Sequence, residues 1–322
     1  MLKVLITGGS GFIGTNLVES FLQDKIPVLN IDKGKPVNID HLPYWRQVDI
    51  LDRVALEKIM FEFDPGIIIH LAAVTDLKGD SLEYYKANIE GTKNIINIAK
   101  SLPSLKKVIY TSSMYVCEPG FIPPDFNTYK PHTIYGESKV AGELLVREIK
   151  DVNYDWVLVR PTSIWGPWFD IPYIDFFNVV YKRRYFDFGN ACTKTYGYVG
   201  NTVFQIRQLL LLSRMDSNFF YLGDCPPVQI SEWANEISLE MGKGAIKRLP
   251  FYLLKSMAFC GDILLTMKVK FPITSFRLKN MTTNNVLPLT NLYDAVGTPP
   301  FSRREGIRNT IKWLKDFKGY KL

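Results

Sequence analysis

Close to the start of the chain, a short apolar run leads directly into a cluster of glycines, in the order Val4-Leu5-Ile6-Thr7-Gly8-Gly9-Ser10-Gly11-Phe12-Ile13-Gly14. The apolar run predicts a buried strand, and Gly9, Gly11 and Gly14 satisfy the pattern GxGxxG where that strand must turn into a helix. Glycine lets the backbone approach a phosphate without a Cβ, and the free N–H groups of the following helix point toward an anion. The segment therefore predicts a strand, a tight turn and a helix that bind the pyrophosphate of a dinucleotide.

Short apolar strands and longer amphipathic stretches alternate from here to about residue 165. The predicted strands are Val4–Thr7, Val28–Ile31, Ile67–Leu71, Val108–Thr111 and Trp156–Arg160, and the predicted helices are Gly14–Leu22, Ala55–Phe63, Ala87–Ser101 and Gly136–Ile149. Strands joined by crossover helices form a parallel sheet that is covered on both faces. We therefore predict an α/β chain built on a Rossmann-type, doubly wound parallel sheet.

Beyond Gly166-Pro167 the alternation ends, aromatic residues crowd positions 168–185, and prolines recur. This change predicts an NAD(P)-binding Rossmann domain over residues 1–167 and a smaller α+β lobe over residues 168–322 that binds the substrate. A return of the chain to the first domain around residues 190–215 stays open. The tail from Arg303 to Phe317 has apolar residues at helical spacing, so we expect a helix that caps the fold.

The composition is that of a globular chain, with 322 residues of which 47% are hydrophobic and 22% charged. The N-terminal apolar run meets glycine at once, so we expect no signal peptide. The most apolar later segment, Phe251 to Leu265, is interrupted by Lys255 and Asp262, whereas a spanning helix needs about 20 mostly apolar residues. We expect a cytoplasmic protein without a membrane span, whose four well-separated cysteines are reduced.

The formal net charge is +7, and it includes short basic clusters such as Lys182-Arg183-Arg184. None of these clusters is interleaved with a nucleic-acid-binding motif, and exposed, solvated faces account for them. We predict no nucleic-acid partner. A basic chain does suit anionic small molecules, such as a dinucleotide or a nucleotide-linked substrate.

An acidic residue at the end of the second predicted strand bears on the choice of dinucleotide. Asp32 follows Gly14 by eighteen residues, where a carboxylate can accept hydrogen bonds from both ribose hydroxyls of the adenosine. It would repel a 2′-phosphate, so NAD is favoured over NADP. NADP stays a possible cofactor because Lys33 or Lys35 could accommodate that phosphate. Alternatively, Asp32 is only a turn residue at the end of the strand.

A phenol and an ammonium group are four residues apart in Tyr135-Gly-Glu-Ser-Lys139, and thus share one face of a helix. Lys139, together with a cationic nicotinamide, would lower the pKa of Tyr135 from about 10 toward working pH. The phenolate could then take a hydroxyl proton as hydride leaves the carbon. Ser112 and Ser113, at the end of the fourth predicted strand, can hold the substrate oxygen.

With these motifs the chain resembles the extended short-chain dehydrogenase/reductase family, in its NAD-dependent epimerase/dehydratase group. The resemblance selects Ser113 over Ser112, because the family's catalytic hydroxyl residue precedes a Val-Tyr-Gly corner by three positions, and the corner here is Val116-Cys117-Glu118. It also implies a homodimer formed through two helices of the Rossmann domain. It is carried by Thr7–Gly14, Asp49-Ile50, His70-Leu71-Ala72-Ala73, Asn88-Ile89-Glu90-Gly91-Thr92, Tyr110–Ser113, Tyr135–Lys139 and Arg160-Pro161.

The resemblance also implies which residues hold the cofactor. Asp49 and Ile50 would contact the adenine, Leu71 and Ala72 would line the dinucleotide path, and Lys139 would hold the nicotinamide ribose. Asn88 is included, although it also fits a buried group that braces a loop, as His70 does; no metal site is predicted. The full predicted set is Gly8, Gly11, Phe12, Ile13, Gly14, Asp32, Lys33, Asp49, Ile50, Leu71, Ala72, Ala73, Asn88, Thr111, Tyr135, Lys139, Pro161 and Ile164.

The two residues after Ser113 narrow the reaction. Nucleotide-sugar 4,6-dehydratases of the family carry an Asp-Glu pair there, to protonate and deprotonate the sugar during water loss, whereas this chain has Met114-Tyr115. Neither side chain is a carboxylate, so dehydration is disfavoured, and decarboxylation loses support for the same reason. What remains is hydride transfer at a secondary alcohol, either reversible within one turnover, as in an epimerase, or net, as in a dehydrogenase.

In the second lobe, Lys194-Thr-Tyr-Gly-Tyr-Val199-Gly200-Asn201 resembles the family's Arg-Asp-Phe-x-x-Val-Asp-Asp, with Lys194 where a phosphate-binding arginine often stands. The predicted substrate residues are Thr75, Ser113, Lys194 and Arg277. We expect a nucleotide-sugar epimerase or related 4-keto-sugar oxidoreductase, in which Phe251–Leu265 is an ordinary core helix. The alternative is a 3β-hydroxysteroid-dehydrogenase-like enzyme, in which that segment lines a lipid-like pocket or docks at a membrane surface.

Overall fold

The computed structural model describes residues 2–171, 173–189, 192–212, 217–266, 278 and 282–321. Within them one sheet has seven strands, β1 Val4–Thr7, β2 Val28–Asp32, β3 Trp45–Gln47, β4 Ile67–His70, β5 Lys107–Thr111, β6 Asp155–Pro161 and β10 Phe219–Leu222. Their spatial order is β10-β6-β5-β4-β1-β2-β3, and every neighbouring pair is parallel. The Rossmann-type fold class is thereby confirmed.

Helices cover both faces of this sheet, as the buried strands require. They are α1 Phe12–Gln23, α2 Arg53–Phe63, α3 Thr92–Ala99, α4 Ile134–Arg147 and α6 Val199–Leu211. Val4 and Ile6 of β1 pack toward one side with helices α1 and α6, whereas Leu5 packs toward the other side with α2, α3 and α4.

The two edge strands were not predicted from the sequence. β3 has three residues, of which two are polar, so it lacks the apolar run of a buried strand. β10 has four apolar residues but lies beyond residue 167, where the alternation of strands and helices ends. The segment predicted as one helix over Ala87–Ser101 begins instead with a π-helical turn, Ala87–Gly91, which leads into α3. The other predicted strands and helices are confirmed, with ends that differ by a few residues.

The remainder of the chain packs around a second, aromatic core in which Trp165 and Trp233 lie 5.1 Å apart between ring centroids. The chain also returns to the sheet, since α6 packs on α1 and β10 pairs with β6. The boundary at residue 167 stays a prediction. The elements here are β7 Ser163–Trp165, α5 Tyr173–Tyr181, β8 Thr193–Lys194, β9 Tyr196–Tyr198, β11 Val228–Gln229, α7 Ile230–Glu240, α8 Phe251–Thr266, α9 Thr290–Val296 and α10 Arg303–Lys318.

The two C-terminal sequence predictions have different outcomes. Helix α10 buries Ile307, Ile311 and Leu314 against the aromatic core, and the expected capping helix is confirmed. Helix α8 is not an ordinary core helix, because Tyr252 and Phe259 are each 66% exposed. The hydropathy of a helical segment does not show which of its side chains other parts of the chain cover. The exposure of Tyr252 and Phe259 could therefore not be predicted from it. Within the described residues, none of the helices combines the length and apolar character needed to cross a membrane.

Candidate active site

A cavity of about 390 Å³ opens at the carboxyl ends of β1, β2, β4, β5 and β6, where open parallel sheets bind ligands. It extends from the glycine turn after β1 to the first two turns of α4. The predicted site residues that line it are Gly8, Gly11, Phe12, Ile13, Gly14, Asp32, Lys33, Asp49, Ile50, Leu71, Ala72, Ala73, Thr75, Thr111, Ser113, Tyr135, Lys139, Pro161 and Ile164.

The turn between β1 and α1 is built for close backbone contact. Gly8 has a φ of +75°, and a Cβ on it would lie 2.6 Å from the backbone nitrogen of Ala72. A Cβ on Gly14 would collide with the carbonyl oxygen of Gly8. Gly11 is the N-cap of α1, and no side chain caps this helix end. The helix N-terminus therefore faces the cavity with its backbone N–H groups available to an anion.

Asp32 lies at the end of β2, at the edge of the same cavity. Its carboxylate accepts hydrogen bonds from the backbone N–H groups of Ser10, at 3.1 Å, and Gly34, at 2.9 Å. Burial raises the pKa of Asp32, and these hydrogen bonds partly offset that shift. Lys33 lines the cavity as well and is exposed. The carboxylate is fixed in place and still has free lone pairs for ribose hydroxyls.

The predicted catalytic trio converges on one wall of the cavity. Thr133 caps α4 by accepting a hydrogen bond from the N–H of Gly136, and the helix then presents Tyr135 and Lys139 on one face. The Lys139 ammonium donates to the carbonyl oxygen of Thr111, at 2.8 Å. Ser113 follows β5, and its hydroxyl accepts from the N–H of Tyr115 at 3.2 Å and also bonds to the Tyr135 phenol.

Burial changes the proton affinities of this trio. It raises the pKa of Tyr135 to about 12, with the Ser113 hydrogen bond partly offsetting the shift. It lowers the pKa of Lys139 to about 8, with the Glu143 carboxylate opposing the shift. Desolvation thus favours the neutral phenol in the protein alone. The predicted lowering of the Tyr135 pKa by Lys139 together with a cationic nicotinamide stays a prediction. A cation bound in the cavity would add its charge to that of Lys139 and oppose the effect of burial.

Two hydroxyls in the cavity wall have no hydrogen-bond partner among the described residues, namely Oγ1 of Thr111 and Oγ of Ser112. A buried unpaired hydroxyl is costly, so both groups fit a ligand that carries hydrogen-bonding groups. Ser112, which the family resemblance had ranked below Ser113, lines the cavity, and so do Thr162 and Val74, which were not predicted. Their positions next to the predicted strand ends were the available signal.

Aromatic rings surround the Tyr135 phenol. The rings of Tyr85 and Tyr115 each lie 5.9 Å from that of Tyr135 between centroids, and Tyr115 stacks on His132. Asp32 and Asp49 are the only acids among the described residues that line the cavity, and both lie away from the trio at the β2–β3 side. No described cavity residue beside Tyr135 can act as a carboxylate acid or base, in agreement with the argument from Met114-Tyr115.

Three predicted residues are not among those that line the cavity. The Asn88 side chain is buried, accepts a hydrogen bond from the N–H of Val74 and donates one to the Val74 carbonyl oxygen, so it braces that loop. Asn88 is not among the described residues that line the cavity, where a residue in contact with the cofactor would have to lie. Lys194 lies on β8, apart from the cavity lining. Arg277 lies outside the described residues. His70 bonds to Thr7 and Thr92, which fits its predicted bracing role.

Comparisons with known proteins agree with this architecture. The family model described as NAD dependent epimerase/dehydratase matches residues 4–175. N-acetyl-alpha-D-glucosaminyl-diphospho-ditrans,octacis-undecaprenol 4-epimerase of Escherichia coli O157:H7 is 26% identical, over 97% of this chain and 95% of that protein.

Solved structures share the fold over nearly the whole chain. UDP-glucuronic acid 4-epimerase from Bacillus cereus, in complex with NAD, superposes with a TM-score of 0.75 at 20% identity, covering 98% of this chain and 99% of that one. UDP-glucose 4-epimerase of Thermus thermophilus, in complex with NAD, superposes with a TM-score of 0.72 at 22% identity. The superposition covers 98% of this chain and 100% of that one. At these identities the similarity is evidence for the fold.

Proposed function

The chain belongs to the NAD dependent epimerase/dehydratase family, and on that basis we propose that it inverts a carbinol carbon of a diphosphate-linked sugar, with Tyr135 as acid and base. Family membership confirms the predicted enzyme class and NAD as the cofactor. The observation that carries the proposal is the convergence of Ser113, Tyr135 and Lys139 on the cavity that the glycine turn also lines.

The cavity residues fit the two ends of NAD. The N-terminus of α1 and the backbone of Gly8 and Gly11 suit the pyrophosphate, and Asp32 suits the adenosine ribose. The unpaired hydroxyls of Thr111 and Ser112, next to Lys139, suit the polar groups at the nicotinamide end. When bound in this way, NAD would supply reversible hydride transfer and a cationic nicotinamide.

The proton transfer is carried out by Tyr135, with Ser113 and Lys139 assisting. Tyr135 takes the hydroxyl proton as the carbinol is oxidised and gives it back on reduction, while Ser113 donates a hydrogen bond to the sugar oxygen. Lys139, held by the carbonyl of Thr111, fixes a positive charge one helical turn from the phenol. Its charge and that of the nicotinamide favour the phenolate, against the burial that raises the pKa of Tyr135.

Epimerisation is favoured over water loss because the cavity lacks a carboxylate beside Tyr135 among its described residues. The steroid-like alternative has less support, since none of the described residues of α8 lines this cavity. Thr75 and Lys194 remain candidates for holding the sugar and its diphosphate. A homodimer and a cytoplasmic location remain predictions as well.

The carrier of the sugar has two candidates. A nucleoside diphosphate is the carrier named for both solved structures described above. A polyprenyl diphosphate is the second candidate, because the Escherichia coli relative that matches over nearly its whole length is named for a sugar linked to undecaprenol through a diphosphate. Both carriers present the same diphosphate next to the sugar, so the proposed chemistry is common to the two.

The experiment that tests the proposal incubates the purified protein and NAD with UDP-, GDP-, CDP- and dTDP-sugars and with N-acetylglucosaminyl-diphospho-polyprenol. Sugar products are resolved chromatographically while the absorbance of NADH is followed. We expect an epimerised sugar with no net change in NADH. Tyr135→Phe should abolish this conversion, whereas Tyr252→Phe, at a 66% exposed tyrosine on α8, should not alter it.

Other outcomes would contradict the proposal. Stoichiometric NADH formation or consumption would mean a net dehydrogenase or reductase. Conversion by Tyr135→Phe at the unaltered rate would remove this residue from acid–base catalysis. A lack of turnover with every sugar, in a protein that binds NAD, would remove diphosphate-linked sugars as the substrate class.

A further inference from the structure

A row of buried polar side chains runs beside the cavity, from the glycine turn to the helix that carries Tyr135. It consists of Thr7 on β1, His70 on β4, Asn88 in the π-helical turn, Thr92 at the start of α3 and Ser138 on α4, which are 0%, 3%, 1%, 7% and 0% exposed. None of these five side chains lines the cavity. Because burying a polar group is costly unless it is hydrogen-bonded, the hydrogen bonds of this polar row decide what it can do.

The hydrogen bonds of the polar row run in one direction. The Thr92 hydroxyl donates its single hydrogen to the carbonyl oxygen of Asn88, at 2.8 Å, so it accepts from Nε2 of His70, at 3.1 Å. Nε2 thus carries the imidazole hydrogen, and Nδ1 accepts from the Thr7 hydroxyl at 2.7 Å. Burial lowers the pKa of His70 to about 3, so the ring stays in this neutral form.

Asn88 extends the polar row to α4. Its side-chain amide donates to the hydroxyl oxygen of Ser138, at 2.9 Å, and to the carbonyl oxygen of Val74, at 3.0 Å. The Ser138 hydroxyl in turn donates to the carbonyl oxygen of Tyr135, at 2.7 Å. Removing the hydroxyl of Thr92 or Ser138 would therefore leave a buried donor of the row without its acceptor.

The polar row joins three walls of the cavity. Thr7 directly precedes Gly8 in the glycine turn. Val74 belongs to the segment after β4 that lines the cavity, and Ser138 directly precedes Lys139 on α4. These hydrogen bonds therefore hold the turn that suits the pyrophosphate and the helix that carries the phenol at a fixed separation.

We propose that Thr92 and Ser138 are positioning residues, through which the polar row holds Tyr135 in its place relative to the dinucleotide. Neither residue lines the cavity, so neither touches the reacting atoms. The inference rests on the proposed function, since turnover depends on this placement only if Tyr135 acts on the substrate. Displacing a reacting group by 1 Å can cost about 10²-fold in rate, so a residue outside the cavity can limit turnover.

The first test compares two substitutions of one residue. Thr92→Val keeps the shape of the side chain but leaves the His70 N–H without an acceptor, and we expect kcat to fall about tenfold or more with KM and NAD affinity nearly unchanged. Thr92→Ser keeps the hydroxyl and loses a methyl group, so it should retain most of the kcat that Thr92→Val loses. The matched control is Thr310→Val on α10, because Thr310 is 0% exposed and donates to the carbonyl oxygen of Gly306, four residues earlier, at 2.7 Å.

The second test concerns the other end of the polar row. Ser138→Ala should lower kcat in the same way as Thr92→Val. Its matched control is Ser238→Ala on α7, since Ser238 is 2% exposed and donates to the carbonyl oxygen of Gly244 at 2.7 Å. The double variant Thr92→Val with Ser138→Ala should lose no more kcat than the more affected single variant, because either substitution interrupts the same row.

A third measurement requires no turnover. The Tyr135 phenol is titrated by ultraviolet absorbance in the NAD complex, and the signal of Tyr135→Phe is subtracted. Thr92→Val should raise the pKa of this phenol, because the ring moves away from the positive charges of Lys139 and the nicotinamide, whereas Thr310→Val should not alter it. A raised pKa in a protein that converts no sugar would support the positioning and contradict the proposed function. Sugar turnover that Thr92→Val leaves unaltered would support the proposed function and contradict the positioning.

Other results would also overturn the inference. Equal kcat values for Thr92→Val and Thr310→Val would show that the polar row does not matter for turnover. A loss in Thr92→Ser as large as that in Thr92→Val would assign the effect to packing instead of the hydroxyl. Additive losses in the double variant would mean that Thr92 and Ser138 act separately.

Discussion

A buried ion pair links the helix that carries Tyr135 and Lys139 to the sheet. Removing one of its charges should lower the free energy of unfolding by a measurable amount. Glu143, on α4, and Arg160, on β6, are 1% and 0% exposed. The guanidinium donates to both carboxylate oxygens of Glu143, at 2.8 Å each, and the Tyr129 hydroxyl donates to one of them at 2.9 Å. Although burial opposes it, this pairing raises the pKa of Arg160.

Glu143→Gln keeps the size of the side chain but leaves the Arg160 charge buried without a counter-charge. Removing one partner of such a pair costs about 3–5 kcal/mol of unfolding free energy. Glu240→Gln is the control, because Glu240 pairs with Arg308 and Arg304, whose side chains are 52% and 72% exposed. An exposed pair of this kind contributes at most about 1 kcal/mol.

Urea denaturation followed by circular dichroism measures both losses on the same scale. The double variant Glu143→Leu with Arg160→Met should be more stable than Glu143→Gln, because it removes both charges together. A loss below about 1 kcal/mol for Glu143→Gln, equal to that of Glu240→Gln, would refute the view that the pair is desolvated and that its charges depend on each other.

Three further predictions concern the site and its surroundings. Tyr135→Phe should lower kcat by about 10²–10⁴-fold with NAD affinity nearly unchanged; stopped-flow turnover and equilibrium titration measure the two, and a parallel loss of affinity would indicate a structural role. Asp32→Ala should weaken NAD more than NADP in fluorescence titrations, and the opposite ranking would mean that Lys33 decides cofactor choice. Burial raises the pKa of Asp224 from 3.8 to about 6, so the folded state binds this proton more tightly and its contribution to unfolding free energy should decline as the pH rises from about 4 to about 6. Asp224→Asn should remove that part of the pH dependence in thermal melts, and an unchanged profile would contradict the assignment.

The sequence determined the parts of this protein that depend on local chemistry. The apolar run before Gly8 predicts a buried strand, and the glycines that follow predict a tight turn and a helix N-terminus because a Cβ there would clash. The acid at residue 32 stands at the end of the second strand. The four-residue spacing of Tyr135 and Lys139 places them on one helix face in any helix. These features require no knowledge of distant contacts. Other residues that line the cavity, such as Asp49, Ile50 and Leu71, were named only through the family resemblance.

Only the tertiary structure decided which groups meet partners from elsewhere in the chain. Asn88 was expected at the cofactor, but its side-chain amide forms hydrogen bonds with the backbone N–H and carbonyl of Val74 instead. The partner of Glu143 is seventeen residues away on another element, and no local pattern identifies it. Helix α8 has the composition of a core helix, yet its Tyr252 and Phe259 side chains are each 66% exposed. Burial is a property of the assembled chain, whereas helical spacing and backbone sterics are properties of the segment.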